Sequence, residues 1–162
     1  MVRWRASANR VDSVITIQIP GRPPTYRRAR SKGAIRFQDK ATIADRKRIA
    51  AAVATVEPCP PGALAVNIVA IWPAAAARSK PRKGQPVPVI VEWRDQDPDA
   101  DNVAKGVLDS LQAAGWLDED NRVVRLTACT LTTNQHGDGC TVVTVSDILP
   151  DACGVALSLR TA

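Results

Sequence analysis

Two short acidic segments contain the residues of this sequence that are best suited to chemistry. Residues 99–105 read D-A-D-N-V-A-K, which sets two carboxylates two positions apart and an amine four residues beyond the second. Residues 118–124 begin with three consecutive acids and end in the pair Val123 and Val124. Cleavage of a phosphodiester needs an activated water, relief of phosphate charge and help for the leaving alkoxide, and Mg²⁺ can supply all three. The two segments therefore favour a metal-dependent nuclease.

The spacing of these residues suggests a role for each of them. Asp99 and Asp101 can face one ion from a loop-to-helix junction, and Asp120 can close the site from the start of the next strand. Mg²⁺ prefers oxygen ligands and retains several waters, so two or three aspartates plus a substrate phosphate suit it, with Mn²⁺ as an alternative ion. If Asp101 begins a helix, Lys105 lies one turn further along the same face. Its ammonium can then support the scissile phosphate or the leaving oxygen.

The same residues also fit simpler interpretations. Asp101 can form an ordinary ion pair with Lys105 on a solvated helix surface, while Asp99 caps the helix, and this interpretation stays open. An EF-hand calcium loop is excluded. Counted from Asp97, its sixth residue is Asn102 instead of Gly and its twelfth is Leu108 instead of Glu.

The composition of the sequence favours a soluble globular protein over a membrane, secreted or zinc-binding protein. The 162 residues, 45% of them hydrophobic, suffice for one globular domain with a buried core. No apolar run reaches the roughly 18 residues of a membrane span, and the first residues lack the apolar core of a signal peptide. We therefore expect a soluble protein of the cytoplasm, in a bacterial or phage-infected cell, without a membrane partner. The four cysteines form no C-x-x-C pair and the single histidine, His136, lies in a Gly-rich turn, so we expect no zinc and buried or idle thiols.

Basic residues outnumber acidic ones by 22 to 16, which gives a net charge of +6. They cluster in residues 27–36, 46–48 and 78–83. Such clusters are the electrostatic footprint of nucleic-acid binding, although solvated basic faces are also common. We interpret residues 46–48 as an ordinary solvated helix face. The candidate DNA contacts are Arg27, Arg28, Arg30, Lys32, Lys80, Arg82 and Lys83.

Hydrophobic periodicity predicts the elements that hold the acidic segments. The predicted helices are residues 39–56, capped by Asp39, and residues 102–114, ended by Gly115. The predicted strands are residues 14–20, 63–72, 89–93, 123–131 and 141–145. Residues 63–72 are apolar at nearly every position and predict a central strand covered on both faces. Residues 134–139 are predicted to be the turn that joins the last two strands.

The remaining segments are predicted to lie outside the packed elements. Residues 1–12 are interpreted as a flexible basic arm, 13–149 as the folded domain and 150–162 as a peripheral tail. Residues 21–38 and 73–88 are predicted to be loops, and the second is expected to order on a partner. Core or subunit packing is expected for three tryptophans, Trp72, Trp93 and Trp116, and a base contact for Trp4.

Taken together, the motifs resemble the RusA-type Holliday-junction resolvases. That family's signature is P-D-x-D-N-x-x-K, an amphipathic helix, and then D-x-[QR]-[VI]-V; residues 98–105 and 120–124 reproduce it, although Ala100 replaces a usual Leu. Upstream, residues 17–24 look like the family's first strand and its I-P-G-x-P turn. The resemblance covers roughly residues 15–145.

The resemblance implies a fold and a function. It implies a single α+β domain with a mixed β-sheet flanked by two main helices, which dimerises to cut two strands symmetrically. By resemblance, Asp99, Asp101 and Asp120 are the metal-binding acids and Lys105 the catalytic lysine, with Asp118 an alternative third ligand. We therefore expect a homodimeric, Mg²⁺-dependent endodeoxyribonuclease, of bacterial or phage origin, that resolves Holliday junctions in recombination or repair. The alternatives are a non-catalytic branched-DNA-binding protein and a flap or fork nuclease.

Overall fold

A five-stranded mixed sheet with two helices on one face forms the domain, as seen in a computed structural model. The structure describes residues 14–26, 30–32, 35–37, 39–76, 78, 86, 89–135 and 137–148. The strands are β1 (Val14–Pro20), β2 (Arg30–Lys32), β3 (Ile35–Phe37), β4 (Leu64–Pro73), β5 (Val91–Trp93), β6 (Val123–Thr133) and β7 (Cys140–Asp147). The helices are α1 (Lys40–Val53) and α2 (Ala100–Ala113), and a 3-10 turn, Asp120–Arg122, precedes β6. The expected α+β class is confirmed.

The sheet has the strand order β1-β7-β4-β6-β5. β4 pairs in parallel with β6, whereas the other neighbouring pairs are antiparallel. β4 is thus a central strand, as its apolar sequence predicts. Only one of its faces is fully covered, because its even-numbered residues are buried against the helices while Asn67 is exposed on the other face. The expectation that helices or other elements cover both faces of β4 is wrong.

Alternation of apolar and polar residues decides which face of each strand is buried. In β1, Ile15, Ile17 and Ile19 are buried and the intervening residues are exposed, which is the period of a strand with one face in the core. These isoleucines belong to the same buried cluster as Val103, Val107 and Leu111 of α2, and α1 lies against β1. One hydrophobic layer therefore joins the sheet to both helices.

The helix α2 runs antiparallel to β4 across this layer. Near its start, Asn102 and Trp72 of β4 line one cleft, and Trp72 lies at the carboxyl end of that strand. Beyond its end, Trp116 Nε1 donates a 2.9 Å hydrogen bond to the carbonyl of Glu57, which precedes β4. Residues that flank α2 are consequently held at opposite ends of the sheet.

The predicted helices and most strands are confirmed, with three differences. Residues 21–38 contain the antiparallel pair β2 and β3 rather than loop alone. α1 ends at Val53, three residues before the predicted end, although its cap Asp39 accepts from Ala41 N as expected. The last two strands are joined by the expected turn but do not pair, because β4 lies between them. Gly139 permits this crossing, since a Cβ there would lie 2.5 Å from the carbonyl oxygen of Ile71.

Some expectations fall outside the described residues. These expectations concern the proposed arm with Trp4, the tail with Cys153, most of residues 73–88, and His136. Within the described ranges, no helix is long and apolar enough to cross a membrane.

Candidate active site

The carboxylates of Asp99 and Asp101 lie together at the start of α2. Asp99 is the N-cap of the helix, and its Oδ1 accepts hydrogen bonds from Asn102 Nδ2 at 2.6 Å and from Asn102 N at 3.3 Å. The side-chain hydrogen bond from Asn102 is the main reason why the pKa of Asp99 is lowered. Desolvation opposes this shift, and a hydrogen bond with the Asp101 carboxyl adds a smaller lowering of the pKa. Both aspartates are exposed. Two oxygen donors are thus available to solvent at a helix N-terminus, which also favours negative charge.

Lys105 lies one turn further along and rests on an aromatic ring. Its Nζ is 4.6 Å from the centroid of the Tyr26 ring, within the range of a cation–π contact. Tyr26 N donates to the Asn102 carbonyl at 2.9 Å, which ties the Tyr26 segment to the start of α2. In the part of the chain that the structure describes, no ion pair joins Lys105 to Asp101. The simpler interpretation, an Asp99 cap with an ion pair between Asp101 and Lys105, is therefore confirmed for the cap and wrong for the ion pair.

Gly106 allows the Tyr26 segment to approach α2 so closely. A Cβ on Gly106 would lie 2.7 Å from both the Thr25 carbonyl carbon and Tyr26 N. Sequence analysis missed Tyr26 and Gly106. A glycine inside a segment with clear helical periodicity is the signal that could have indicated a close approach of another backbone segment to the helix.

An open cleft of about 640 Å³ lies beside the acid pair. Arg22, Tyr26, Asp97 and Asn102 line it, together with the buried ring of Trp72. The Arg94 guanidinium lies 4.9 Å from the centre of the Trp72 ring and donates to the Asp97 carbonyl at 2.6 Å. The cleft therefore offers cationic, aromatic and carboxylate groups next to Asp99.

Asp120 lies at the other end of the domain. It opens the 3-10 turn before β6 and is exposed, and its carboxylate makes no hydrogen bond or ion pair within the described part of the chain. α2 has 14 residues, so about 21 Å of helix separates the acid pair from the segment that leads to Asp120. The strand β6 shows the same separation. Arg94, shortly before the acid pair, donates a backbone hydrogen bond to the Thr130 carbonyl, and Thr130 lies about 23 Å along β6 from its first residue, which follows the turn of Asp120. Asp120 is not brought together with Asp99 and Asp101 in one chain.

The alternative third ligand, Asp118, does not resolve this separation. It lies at the same end of α2 as Asp120, and its Oδ2 accepts from Arg122 Nη1 at 3.2 Å. Arg122 also donates to the carbonyls of Gly62 and Pro60. Among the described residues, no group of three or more acidic, histidine or cysteine side chains is arranged to hold a metal ion. Within one chain, two of the expected ligands fit a shared ion and the third does not.

The basic residues differ in what they contact. Arg48 donates to the carbonyls of Pro20 at 2.9 Å and of Arg22 at 2.6 Å and pairs with Asp45, so it fastens the turn after β1. Among the candidate DNA contacts, Arg30 and Lys32 begin and end β2, but their side chains are not described. The other candidates, Arg27, Arg28, Lys80, Arg82 and Lys83, lie outside the described residues.

The described cysteines and two of the tryptophans lie where the sequence predicts, whereas Trp93 does not. Cys59, Cys129 and Cys140 are free thiols, and burial raises the pKa of each. Trp72 and Trp116 pack in or against the core, as expected. Trp93 is 76% exposed on β5, so the prediction that it packs in the core is wrong, whereas packing of Trp93 between subunits stays a prediction.

Comparison with known proteins gives one finding. Residues 20–145 match the family model described as endodeoxyribonuclease RusA. That range runs from the last residue of β1 into β7 and includes both acidic segments. No curated protein matches the sequence.

Proposed function

Because this chain belongs to the RusA family of endodeoxyribonucleases, which resolve Holliday junctions, we propose that it cuts four-way DNA junctions as a Mg²⁺-dependent homodimer. Each subunit makes one of two symmetric cuts. The family match carries this proposal, and the exposed pair of carboxylates at the start of α2 supports it. The setting we propose is recombination or repair in the cytoplasm of a bacterial or phage-infected cell.

We assign the metal ligands to Asp99, Asp101 and Asp120. Bound there, Mg²⁺ or Mn²⁺ would activate water and relieve charge on the phosphate. The Asp99 carboxylate is ionised at neutral pH, and its lowered pKa extends the ionised, cation-binding form to more acidic solution. Asp101, in the first turn of α2, adds a second exposed oxygen donor beside it.

Lys105 supplies positive charge near the scissile phosphate. The Tyr26 ring holds its ammonium on the side of α2 where the acid pair begins, at 4.6 Å from the ring centroid. An ammonium in this position stabilises negative charge that develops on the phosphate oxygens or on the leaving oxygen. Lys105 thus acts through electrostatics and needs no proton transfer.

The DNA-binding groups of the proposal are the basic residues outside the helices. Arg27, Arg28, Arg30, Lys32, Lys80, Arg82 and Lys83 are assigned to the phosphates of the junction arms. The net charge of +6 favours binding to a polyanion. Arg48 is not assigned to DNA, because its guanidinium already bonds main-chain carbonyls.

A junction-cleavage assay tests the proposal. Asp101→Asn removes the negative charge of one metal-binding carboxylate and should reduce cleavage of a labelled four-way junction by at least about 100-fold. Junction binding should be retained, because the fold and the basic residues remain. Cleavage and gel-shift measurements in Mg²⁺, Mn²⁺ and a chelator provide the readouts. Asp138→Asn, in the exposed turn between β6 and β7, is the matched control and should cleave like the wild type.

Other outcomes distinguish the alternatives. A junction that is bound but left uncut in both metals would indicate a non-catalytic branched-DNA-binding protein. Faster cutting of flaps or forks than of fixed and mobile junctions would indicate a different nuclease specificity. Unchanged cleavage by the Asp101 variant would remove that residue from the site.

A further inference from the structure

Two of the side chains that line the open cleft beside the acid pair are free to meet a ligand. The main chains of these two residues are fastened, because Arg48 Nη2 donates to the Arg22 carbonyl and Arg94 Nη2 to the Asp97 carbonyl, each at 2.6 Å. The side chains of Arg22 and Asp97 are exposed and make no hydrogen bond or ion pair within the described part of the chain. The cleft thus carries one unused donor group and one unused acceptor group on fixed backbone.

The buried ring of Trp72 brings a further unused donor to this cleft. Trp72 is 3% exposed and lines the cleft, and its Nε1 has no hydrogen-bond partner among the described residues. The guanidinium of Arg94 lies 4.9 Å from the centroid of this ring, and its Nε also lacks a partner there. Buried donors without an acceptor are uncommon in folded proteins. A molecule that carries acceptor atoms would supply what this part of the cleft lacks.

The remaining lining is suited to a flat molecule. Tyr26, Pro23 and Pro98 line the cleft together with Trp72, so rings form much of its surface. Its volume, about 640 Å³, is in the range of pockets that bind small molecules. Nucleobases are planar and stack on aromatic side chains whatever their sequence. Size and shape therefore allow a nucleobase to enter.

The charges of the lining favour a neutral occupant over a phosphate. Asp45 lines the cleft but pairs with Arg48 at 2.7 Å, which leaves Arg22 and Asp97 as charges of opposite sign. A phosphate would be attracted by Arg22 and repelled by Asp97 and by the adjacent acid pair. A nucleobase is neutral and presents donors and acceptors on one edge, so it can bond a guanidinium and a carboxylate together.

The cleft begins where the substrate strand would be held. Asp97 and Pro98 line it and directly precede Asp99, and Asn102, which also lines it, donates to the Asp99 carboxylate. A phosphate at the acid pair therefore brings the neighbouring base to the mouth of the cleft. The cost of unstacking a base is lowest where base pairing is already interrupted, as at the branch point of a junction.

We propose that this cleft receives one unstacked nucleobase next to the scissile phosphate, with Arg22 as donor and Asp97 as acceptor to its edge and Tyr26 as the ring beside it. The proposal rests on the proposed function, because it assumes that the acid pair holds the phosphate that is cut. The bound base fixes the register of the strand on the acid pair. Cleavage consequently depends on the base in the cleft as well as on the branched shape of the DNA.

A series of four-way junctions, each with one abasic site at a different position around the cut, tests the proposal. In the wild type, removal of one particular base beside the scissile phosphate should slow cleavage about 10-fold or more, because its stack and its edge contacts are lost. Removal of bases further away should have a smaller effect. If no base beside the cut has this effect, the cleft holds no base and the proposal is overturned.

Asp97→Ala and Arg22→Ala connect that base to the cleft. Each variant lacks one edge contact and should cut the intact junction about 10-fold more slowly than the wild type. Each should lose little or nothing further on the abasic junction, because the base that the side chain contacts is absent there. A variant that slows the intact and the abasic junction by the same factor does not act through the base, and this result would overturn the proposal.

Two control variants make the same changes of charge outside the cleft. Asp95→Ala and Arg125→Ala remove exposed side chains that do not line the cleft. Both should keep the wild-type ratio of cleavage rates between the intact and the abasic junction. Loss of this ratio in a control would show that it reports net charge instead of the cleft, which would also overturn the proposal.

Neutral methylphosphonate linkages distinguish a base from a phosphate in the cleft. They replace the phosphates around the cut one at a time, in junctions that keep all their bases. The effect of Arg22→Ala should be the same on each of these junctions and on the unmodified one. If it disappears at one methylphosphonate and at no abasic site, the cleft holds a phosphate and the proposal is overturned.

Junction affinity in the presence of a chelator repeats the comparison without cleavage. The wild type should bind the intact junction more tightly than the abasic one, whereas Asp97→Ala should bind the two with similar affinity. A wild type that shows this pattern but cuts no junction would count against the proposed function and not against the cleft. A wild type that cuts junctions without dependence on any base beside the cut would count against the cleft alone.

Discussion

Asp99 is both a structural and a candidate catalytic residue. Its Oδ1 caps α2 through Asn102, and the same carboxylate is assigned to a metal ion. The two tasks are compatible because an ionised carboxylate has two oxygens and several acceptor sites. The cap orients the carboxylate before any ion arrives, which reduces the cost of assembling the site.

The lowered pKa of Asp99 gives a prediction about pH and stability. Its folded-state pKa is below the ordinary value of 3.8, so its stabilising contribution is complete above that value and is lost as pH falls through the lowered pKa. Asn is also a favourable N-cap residue, so Asp99→Asn keeps the helix cap but removes the carboxylate that titrates. In metal-free solution, the wild type should lose more stability than the variant between neutral pH and the acid side of 3.8. The effect should be small, because the carboxylate is solvent-exposed.

Urea unfolding midpoints at a series of pH values provide the measurement for Asp99. Asn67→Ala, on the open face of β4, is a control that should follow the wild type at every pH. Identical pH dependence in Asp99→Asn and the wild type would show that the hydrogen bond from Asn102 does not favour the ionised form.

Among the elements, α2 and β1 were the easiest to predict. The apolar residues of α2 recur at helical spacing and Gly115, with φ of +70°, follows its end, so local sequence alone defines the helix. The crossing of β6 and β7 over the end of β4 was not predictable in this way. A short turn between two strands usually joins neighbours, and only the close packing of Gly139 on Ile71 shows why these strands are separated.

Gly106 provides a prediction at the scale of packed elements. Gly106→Ala adds a methyl group where the Thr25 and Tyr26 backbone already fills the space, so the segment or the helix must shift. Such overpacking should reduce the free energy of unfolding by about 1–3 kcal/mol. Because Tyr26 moves away from Lys105, junction cleavage should also decrease. Chemical denaturation and cleavage rates are the measurements.

The control for Gly106 is Ala113→Ser, at an exposed position of the same helix. It should preserve both stability and cleavage. Wild-type behaviour of Gly106→Ala would mean that the Tyr26 segment adjusts freely and does not position Lys105.

For the whole molecule, charge is the property that sequence predicts most directly. A protein that releases counterions from DNA binds more weakly as salt increases, with a slope that reports the number of neutralised phosphates. If Arg28 contacts one phosphate, Arg28→Gln should reduce the slope of log affinity against log salt by roughly one. Arg48→Gln should leave the slope unchanged, because Arg48 bonds main-chain carbonyls. Junction-binding titrations over a range of salt concentrations distinguish the Arg28 variant from the Arg48 variant. Equal slopes for the wild type and both variants would show that Arg28 does not contact a phosphate.

The sequence was least informative about how distant segments are arranged. Both acidic motifs were evident, and so was the resemblance that joins them, yet nothing in their spacing shows that α2 holds them at opposite ends of the sheet. The sequence predicts that Asp120 closes the site of Asp99 and Asp101, and within the chain the structure places it at the other end of α2. The separation depends on the direction of α2 relative to β4, which is set by tertiary packing of Trp72, Trp116 and their neighbours rather than by local propensity.

The 14 residues of α2 also fix a distance in the protein. One added or deleted turn would change the distance between the start of α2, which lines a cleft with Trp72, and the Trp116 hydrogen bond beyond its end by about 5.4 Å, so the helix could no longer reach both ends of β4. Evolution is therefore freer to exchange the outward-facing residues of this helix than to lengthen or shorten it.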